Sequence, residues 1–309
     1  MSLLHDLIFD YTLRNVALGA MLLGIVSGVL GSFAVLRRQG LLGDTLSHAA
    51  LPGICVAFML TNSRSPIILL IGAGIAGWLG TMLLLRVVRD TKLTEDTTLG
   101  VILSVFFGVG ILLLTYIQQQ NNANQAGLDR YLFGQAASLV ARNVVTFAIL
   151  GALALAIVVA CYKEFKLLSF DPLFAASIGL PTRGLDILLT SLLVVAVMIG
   201  LQTVGVVLMA AMVIGPGAAA RQWTNHLHIM LVLAACFGAV AGVSGAVISV
   251  QASRLPTGPM IVLALTIIVL ISILFAPTHG LVPDRVRRRR QRRNLHANGL
   301  PAVAPEAQG

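Results

Sequence analysis

Residues 13–36 read LRNVALGAMLLGIVSGVLGSFAVL. Beyond Arg14 and Asn15 the run carries no charge and no amide, and it exceeds the about 20 apolar residues that a helix needs to cross a bilayer. A backbone in lipid has no water to bond, so such a run closes its hydrogen bonds within itself as an α-helix. It passes through Gly24, Gly28 and Gly31 without a small-residue cleavage site, which reads as a retained first span and not a removed signal peptide.

Similar stretches recur as far as Ala276, separated by short clusters of charge, proline and amide residues. They divide into spans near 13–36, 41–60, 66–88, 97–117, 139–162, 185–200, 203–220, 229–250 and 258–276. The fold class is all-α, a polytopic transmembrane helical bundle of about nine spans. The division at Gly200-Leu201-Gln202-Thr203 is short and apolar, so eight spans with a re-entrant segment is the alternative. Composition agrees: 57% of residues are hydrophobic and 11% charged, against roughly 25% charged in soluble domains. No room remains for a sizeable soluble domain; residues 1–278 form a membrane domain and 279–309 a tail.

Cytoplasmic loops of membrane proteins carry the excess of Lys and Arg. With the amino terminus outside, sixteen of the 21 basic residues fall on one side, among them Arg37, Arg38, Arg86, Arg89, Lys163 and the seven arginines of the tail. Arg14, Arg64, Arg130, Arg142 and Arg254 fall on the other. This bias predicts nine spans with a cytoplasmic carboxyl terminus. The tail, with Arg287 to Arg290 followed by Pro, Ala and Gly, cannot build a core and reads as mostly disordered, touching anionic membrane lipids. No folded element accompanies it, which argues against nucleic acid as its partner. The Gln118–Gln125 loop reads as solvated and external, and Cys55, Cys161 and Cys236 as small packing residues without metal or redox spacing. Gly24-x-x-x-Gly28 and Gly238-x-x-x-Gly242 read as places where helices approach closely.

Residues 41–53, LLGDTLSHAALPG, are unusual because they put an acid and an imidazole into a span. A charged side chain in a membrane helix is costly and faces a bundle interior or an aqueous path, which marks function. Asp44 and His48 are four apart and share one helical face, where a carboxylate oxygen and an imidazole nitrogen form a candidate pair of ligands for a divalent metal. The alternative is an acid–imidazole pair that holds helices together, or an Asp44 hydrated at the cytoplasmic end. Two ligands do not fill the four to six positions a metal expects. Ser47 could add an oxygen, and Pro52 removes a helix hydrogen bond one turn later, freeing a carbonyl.

Residues 168–180, LSFDPLFAASIGL, hold a second signal. Asp171 can cap a short helix with Pro172 at its first position and Gly179 at its end. Such an exposed element can receive motion from a partner, or simply connect two spans. The chain has no G-x-x-x-x-G-K-[ST] loop for ATP and no H-E-x-x-H, so an ATP-driven mechanism requires another chain and the subunit itself is no enzyme.

Together these segments resemble the permease subunits of bacterial ABC importers for manganese, zinc and iron, the ABC-3 family. The resemblance rests on residues 31–38 (GSFAVLRR), 42–53 (LGDTLSHAALPG), 131–134 (YLFG), Phe170-Asp171 with Ala175 and Gly179, 202–205 (QTVG), 218–221 (AAAR) and 255–259 (LPTGP). It implies an importer in the bacterial cytoplasmic (inner) membrane in which two permeases pair, as two copies or as paralogues. Cytoplasmic ABC ATPases bind beneath them and carry the ATP, and an extracytoplasmic metal-binding protein delivers the cargo. No permanently bound cofactor is implied; the metal ion is transported. The resemblance assigns Asp44 and His48 to metal handling and Phe170, Asp171, Ala175 and Gly179 to ATPase coupling. Manganese is slightly favoured over zinc or iron by the carboxylate and the lack of a thiolate. Two rivals are a proton-coupled secondary carrier, with Asp44 and His48 as a relay, and a membrane scaffold that anchors an ATPase.

Overall fold

The computed structural model describes residues 11–63, 65–119, 141–251, 255–278 and 280. The Gln–Asn loop beyond Gln119, the 131–134 segment and the arginine-rich tail lie outside these residues. All regular secondary structure among the described residues is helical. The helices are α1 Tyr11–Leu36, α2 Leu42–Thr61, α3 Pro66–Asp90, α4 Glu95–Gln119 and α5 Ala141–Ala160. Then come α6 Tyr162–Phe170, α7 Pro172–Ser177, α8 Thr182–Thr203, α9 Val206–Trp223, α10 Leu227–Gln251 and α11 Thr257–Phe275. Among the described residues, eight stretches (in α1–α5, α8, α10 and α11) are long and apolar enough to cross a membrane. The chain is thus a polytopic helical membrane protein.

The bundle is built around α1, which is the most buried span, with α2 and α8 next. Its glycines explain how. A Cβ at Gly24 would fall on the Gly238 carbonyl, and one at Gly238 on the carbonyl of Gly24. One turn either way, Gly28 meets the Ala234 carbonyl and Gly242 that of Ala20. The two G-x-x-x-G runs therefore face each other across α1 and α10, as expected where apolar helices in lipid associate by backbone approach. Buried hydroxyls on α1 cost nothing unpaired, because Ser27 Oγ donates to the Leu23 carbonyl (2.6 Å) and Ser32 Oγ to that of Gly28 (2.7 Å).

Pairwise contacts fix the helix directions. Arg37 bonds Asp186 while Leu23 meets Gly200, so α8 runs antiparallel to α1. Val213 lies against Gly31 and Gly217 against Ser32, with Met209 beside Gly200 and Leu23, so α9 returns parallel to α1. α10 is antiparallel again, and α11 follows α9, with Leu265 at Gly215 and Ser272 Oγ accepting from Trp223 Nε1 at 3.0 Å. α9, 18 residues long with Pro216 inside it, thus takes its place in the up-down alternation.

The break between α8 and α9 comes later than the sequence suggests. The helix continues through Thr203, and the chain reverses at Val204-Gly205, where Gly205 adopts φ +88°. Both amides fold back on the Gly200 carbonyl, at 2.9 and 3.3 Å. Only a glycine takes that backbone without strain, so Gly205 and not Gly200 makes the turn. A second difference is α6, which extends the fifth span past Cys161 as a separate helix held by Phe165, fully buried with its ring 5.8 Å from that of Phe33. Cys55 is buried as expected, Cys161 is half-buried, and Cys236 is exposed on α10.

Candidate functional site

α2 begins at Leu42 directly after a tight turn in which Arg38 takes the left-handed φ of 60°. One side of its first two turns is packed: Gly43 lies against Val213 and Ala210 of α9, and Thr45 Oγ1 reaches the carbonyls of Leu41 (2.9 Å) and Leu99 (3.3 Å). Ser47 is fully buried and donates to the Gly43 carbonyl at 2.7 Å, so its hydroxyl is turned away from the face of Asp44 and His48.

The remaining face carries Asp44 and His48, whose Oδ1 and Nε2 are 3.3 Å apart. The Asp44 side chain is 33% exposed and that of His48 13%. The imidazole is clamped by Phe107 of α4, edge to face at 4.6 Å, and its Nδ1 is buried with no hydrogen-bond partner. α2 continues unbroken through Pro52, whose missing N–H leaves the His48 carbonyl without its helical donor. One imidazole, one carboxylate and one freed carbonyl therefore come from the same helix. Among the described residues no group of three or more His, Cys, Asp or Glu side chains gathers in one place.

The second candidate element lies at the bundle end that also carries the start of α2. Asp171 Oδ1 accepts from Phe174 N at 2.9 Å and caps α7, with Pro172 at its first position. The helix closes with Gly179 N on the Ala176 carbonyl and Leu180 N on that of Ala175, both at 3.1 Å, a pair of bonds that needs the left-handed φ of +85° at Gly179. Ala175 is fully buried, whereas Phe170, Leu173, Phe174 and Ile178 are exposed, Leu173 by 83%. Six residues so closed at both ends form a rigid knob with an apolar outer face.

Two neighbours of these candidate elements escaped the sequence reading. Phe107 gave no signal, since an aromatic in a span is ordinary. Asp186 could have been found as the acid at the start of an apolar run; its Oδ1 takes Arg37 Nη1 at 2.6 Å.

The family model of the ABC 3 transport family matches residues 9–276. The chain belongs to the ABC 3 transport family. The match spans α1 through the end of α11 and includes both elements above. Among this family's members, the zinc transport system membrane protein TroC of Treponema pallidum is 49% identical over 94% of this chain and 97% of its own length. The manganese transport system membrane protein MntC of Bacillus subtilis is also 49% identical, over 89% of this chain and 63% of its own. The solved structure of PsaBC from Streptococcus pneumoniae in complex with Fab matches this ABC 3 fold with a TM-score of 0.79 at 30% identity. It covers 93% of this chain and 98% of the matched one.

Proposed function

We propose that this chain is the membrane-spanning permease subunit of an ATP-driven importer of divalent metal ions. The observation that carries the reading is the 3.3 Å approach of Asp44 Oδ1 and His48 Nε2 inside a membrane helix. Two donors each about 2.1 Å from a metal and this far apart subtend roughly 104°, close to the tetrahedral angle. The unpaired buried Nδ1 and the exposed flank of Asp44 mark a site that one chain leaves unfinished. A second permease, as a copy or a paralogue, supplies the remaining ligands when the two pair.

The ion enters between the permeases from an extracytoplasmic binding protein, is held transiently by Asp44 and His48, and leaves inward. Holding must stay weak enough for release. Motion comes from cytoplasmic ABC ATPases that receive the knob formed by Phe170, Asp171, Ala175 and Gly179. This topology has nine spans, with α9 as the seventh, the amino terminus outside and the carboxyl terminus in the cytoplasm of a bacterial cell. Residues 1–278 make the transport domain. Oxygen and nitrogen donors without thiolate favour manganese slightly, and names of relatives at equal identity include both zinc and manganese.

The test is metal uptake in proteoliposomes holding the permease, its ATPase and its binding protein. Uptake should require ATP hydrolysis and survive collapse of the proton gradient. Uptake that follows the proton gradient without ATP would establish a secondary carrier, and a complex that hydrolyses ATP but moves no metal would establish a scaffold.

A further inference from the structure

A cavity of about 1070 Å³ opens where α1, α3, α4 and α8 end or begin, bordered by Pro172 at the start of α7. Five arginines line it: Arg37, Arg38, Arg86, Arg89 and Arg183. Against them stand Asp90, Glu95 and Asp186. Asp186 and Asp90 are already paired with arginines, whereas Glu95 keeps its charge. Arg37 and Asp186 pair at 2.6 Å, Arg86 Nε and Asp90 Oδ2 stand 3.6 Å apart, and Glu95 Oε2 accepts from Gln39 Nε2 at 2.9 Å. Arg38, Arg89 and Arg183 form no ion pair among the described residues. The cavity therefore sets three uncommitted guanidinium groups against the single unpaired carboxylate of Glu95, and guanidinium is the side chain best shaped to hold a phosphate.

Its other wall is apolar. Leu84 and Leu168 are buried, and Leu36, Val88 and Ile187 are half-buried around the same space. A free phosphate has no use for that wall, whereas the glycerol and first acyl carbons of a lipid do. The height is also right, because α1 stops at Leu36, α3 at Asp90, and α8 starts at Thr182, so the cavity lies at the headgroup level of one leaflet. Arg38 reaches it from a left-handed backbone, a conformation rare for a non-glycine residue and often kept for a functional reason.

We propose that this arginine-lined cavity binds the phosphate of an anionic membrane lipid, with its apolar wall taking the adjoining glycerol and acyl chain. Basic pockets between membrane helices suit such headgroups. Because Pro172 and Arg183 flank α7, a seated headgroup bridges the α1 and α3 ends to the segment that carries the exposed knob. The lipid site stands apart from the metal reading and does not depend on it.

The experiment uses the full-length permease in nanodiscs of phosphatidylglycerol and phosphatidylcholine, then extracts it gently and counts retained lipid by mass spectrometry. Wild type should retain phosphatidylglycerol in preference to phosphatidylcholine, and R38Q/R89Q/R183Q should lose at least about tenfold of it. R38K/R89K/R183K should recover part of the retention, which separates lost charge from a damaged fold. Retention unchanged in the glutamine variant would overturn the proposal. Displacement by inorganic phosphate alone would assign the cavity to a soluble anion. Unchanged lipid with weaker co-purification of the ATPase would assign the arginines to that protein surface, and either result contradicts a lipid site.

Discussion

Arg37 Nη1 stands 2.6 Å from Asp186 Oδ1, and this ion pair ties the turn before Asp44 to the second turn of α8, soon after the α7 knob. The candidate metal site and the candidate coupling element are thereby joined through one contact at the same end of the bundle. With side chains 13% and 22% exposed, the pair lies between a surface bridge and a buried one. Arg37→Ala or Asp186→Ala should each destabilise the permease by about 1–3 kcal/mol, and the exchange R37D/D186R should recover part of the loss. Thermal unfolding of the purified protein in detergent measures both. Equal stability in the single variants would show that the link is idle.

The α1–α10 seam allows no side chain at its crossing. Gly24→Val places carbon atoms on the Gly238 carbonyl, so the helices must part. A loss of about 3 kcal/mol or more is expected, at or beyond the upper end for overpacking. Gly40→Ala, which has open space around it, should change stability little. Monodispersity after extraction distinguishes the two, and a well-behaved Gly24→Val protein would contradict the packing.

The knob should fail in two separable ways. Gly179→Val forces a branched side chain into φ +85° and should cost at least about 1–2 kcal/mol locally. Leu173→Asp leaves both caps in place but puts a charge on the most exposed apolar position, so the permease should fold normally and lose its ATPase in co-purification. An L173D permease that still retains the ATPase would place the docking surface elsewhere.

Much of this architecture was legible because lipid leaves the chain few choices. The runs from Leu13 to Leu36 and from Thr257 to Phe275 can satisfy their backbones only as helices, so their ends follow from composition. The G-x-x-x-G pairing was visible for the same reason, since small residues are what such helices associate through. Asp171 and Gly179 announced α7 through capping chemistry that is local in sequence. What stayed hidden depends on distant partners. Neither the ring of Phe107 on His48 nor the Arg37–Asp186 pair is written in spacing, because each joins helices far apart in the chain. The true position of the α8–α9 turn was obscured by two glycines of which only Gly205 needs a positive φ. Ser47 shows the opposite error: it sits beside His48 in sequence, but a step of one residue turns it to another face of the helix, where it bonds Gly43.

The most direct measurement is uptake of radioactive manganese by cells or proteoliposomes carrying the complete transporter with Asp44→Ala or His48→Ala in the permease. Each should lower uptake by at least about 100-fold, since even indirect supports of a metal ligand cost 10–100-fold. Membrane insertion and ATPase co-purification should match wild type. Uptake at the wild-type rate in both variants would contradict the assignment of Asp44 and His48 as the metal site.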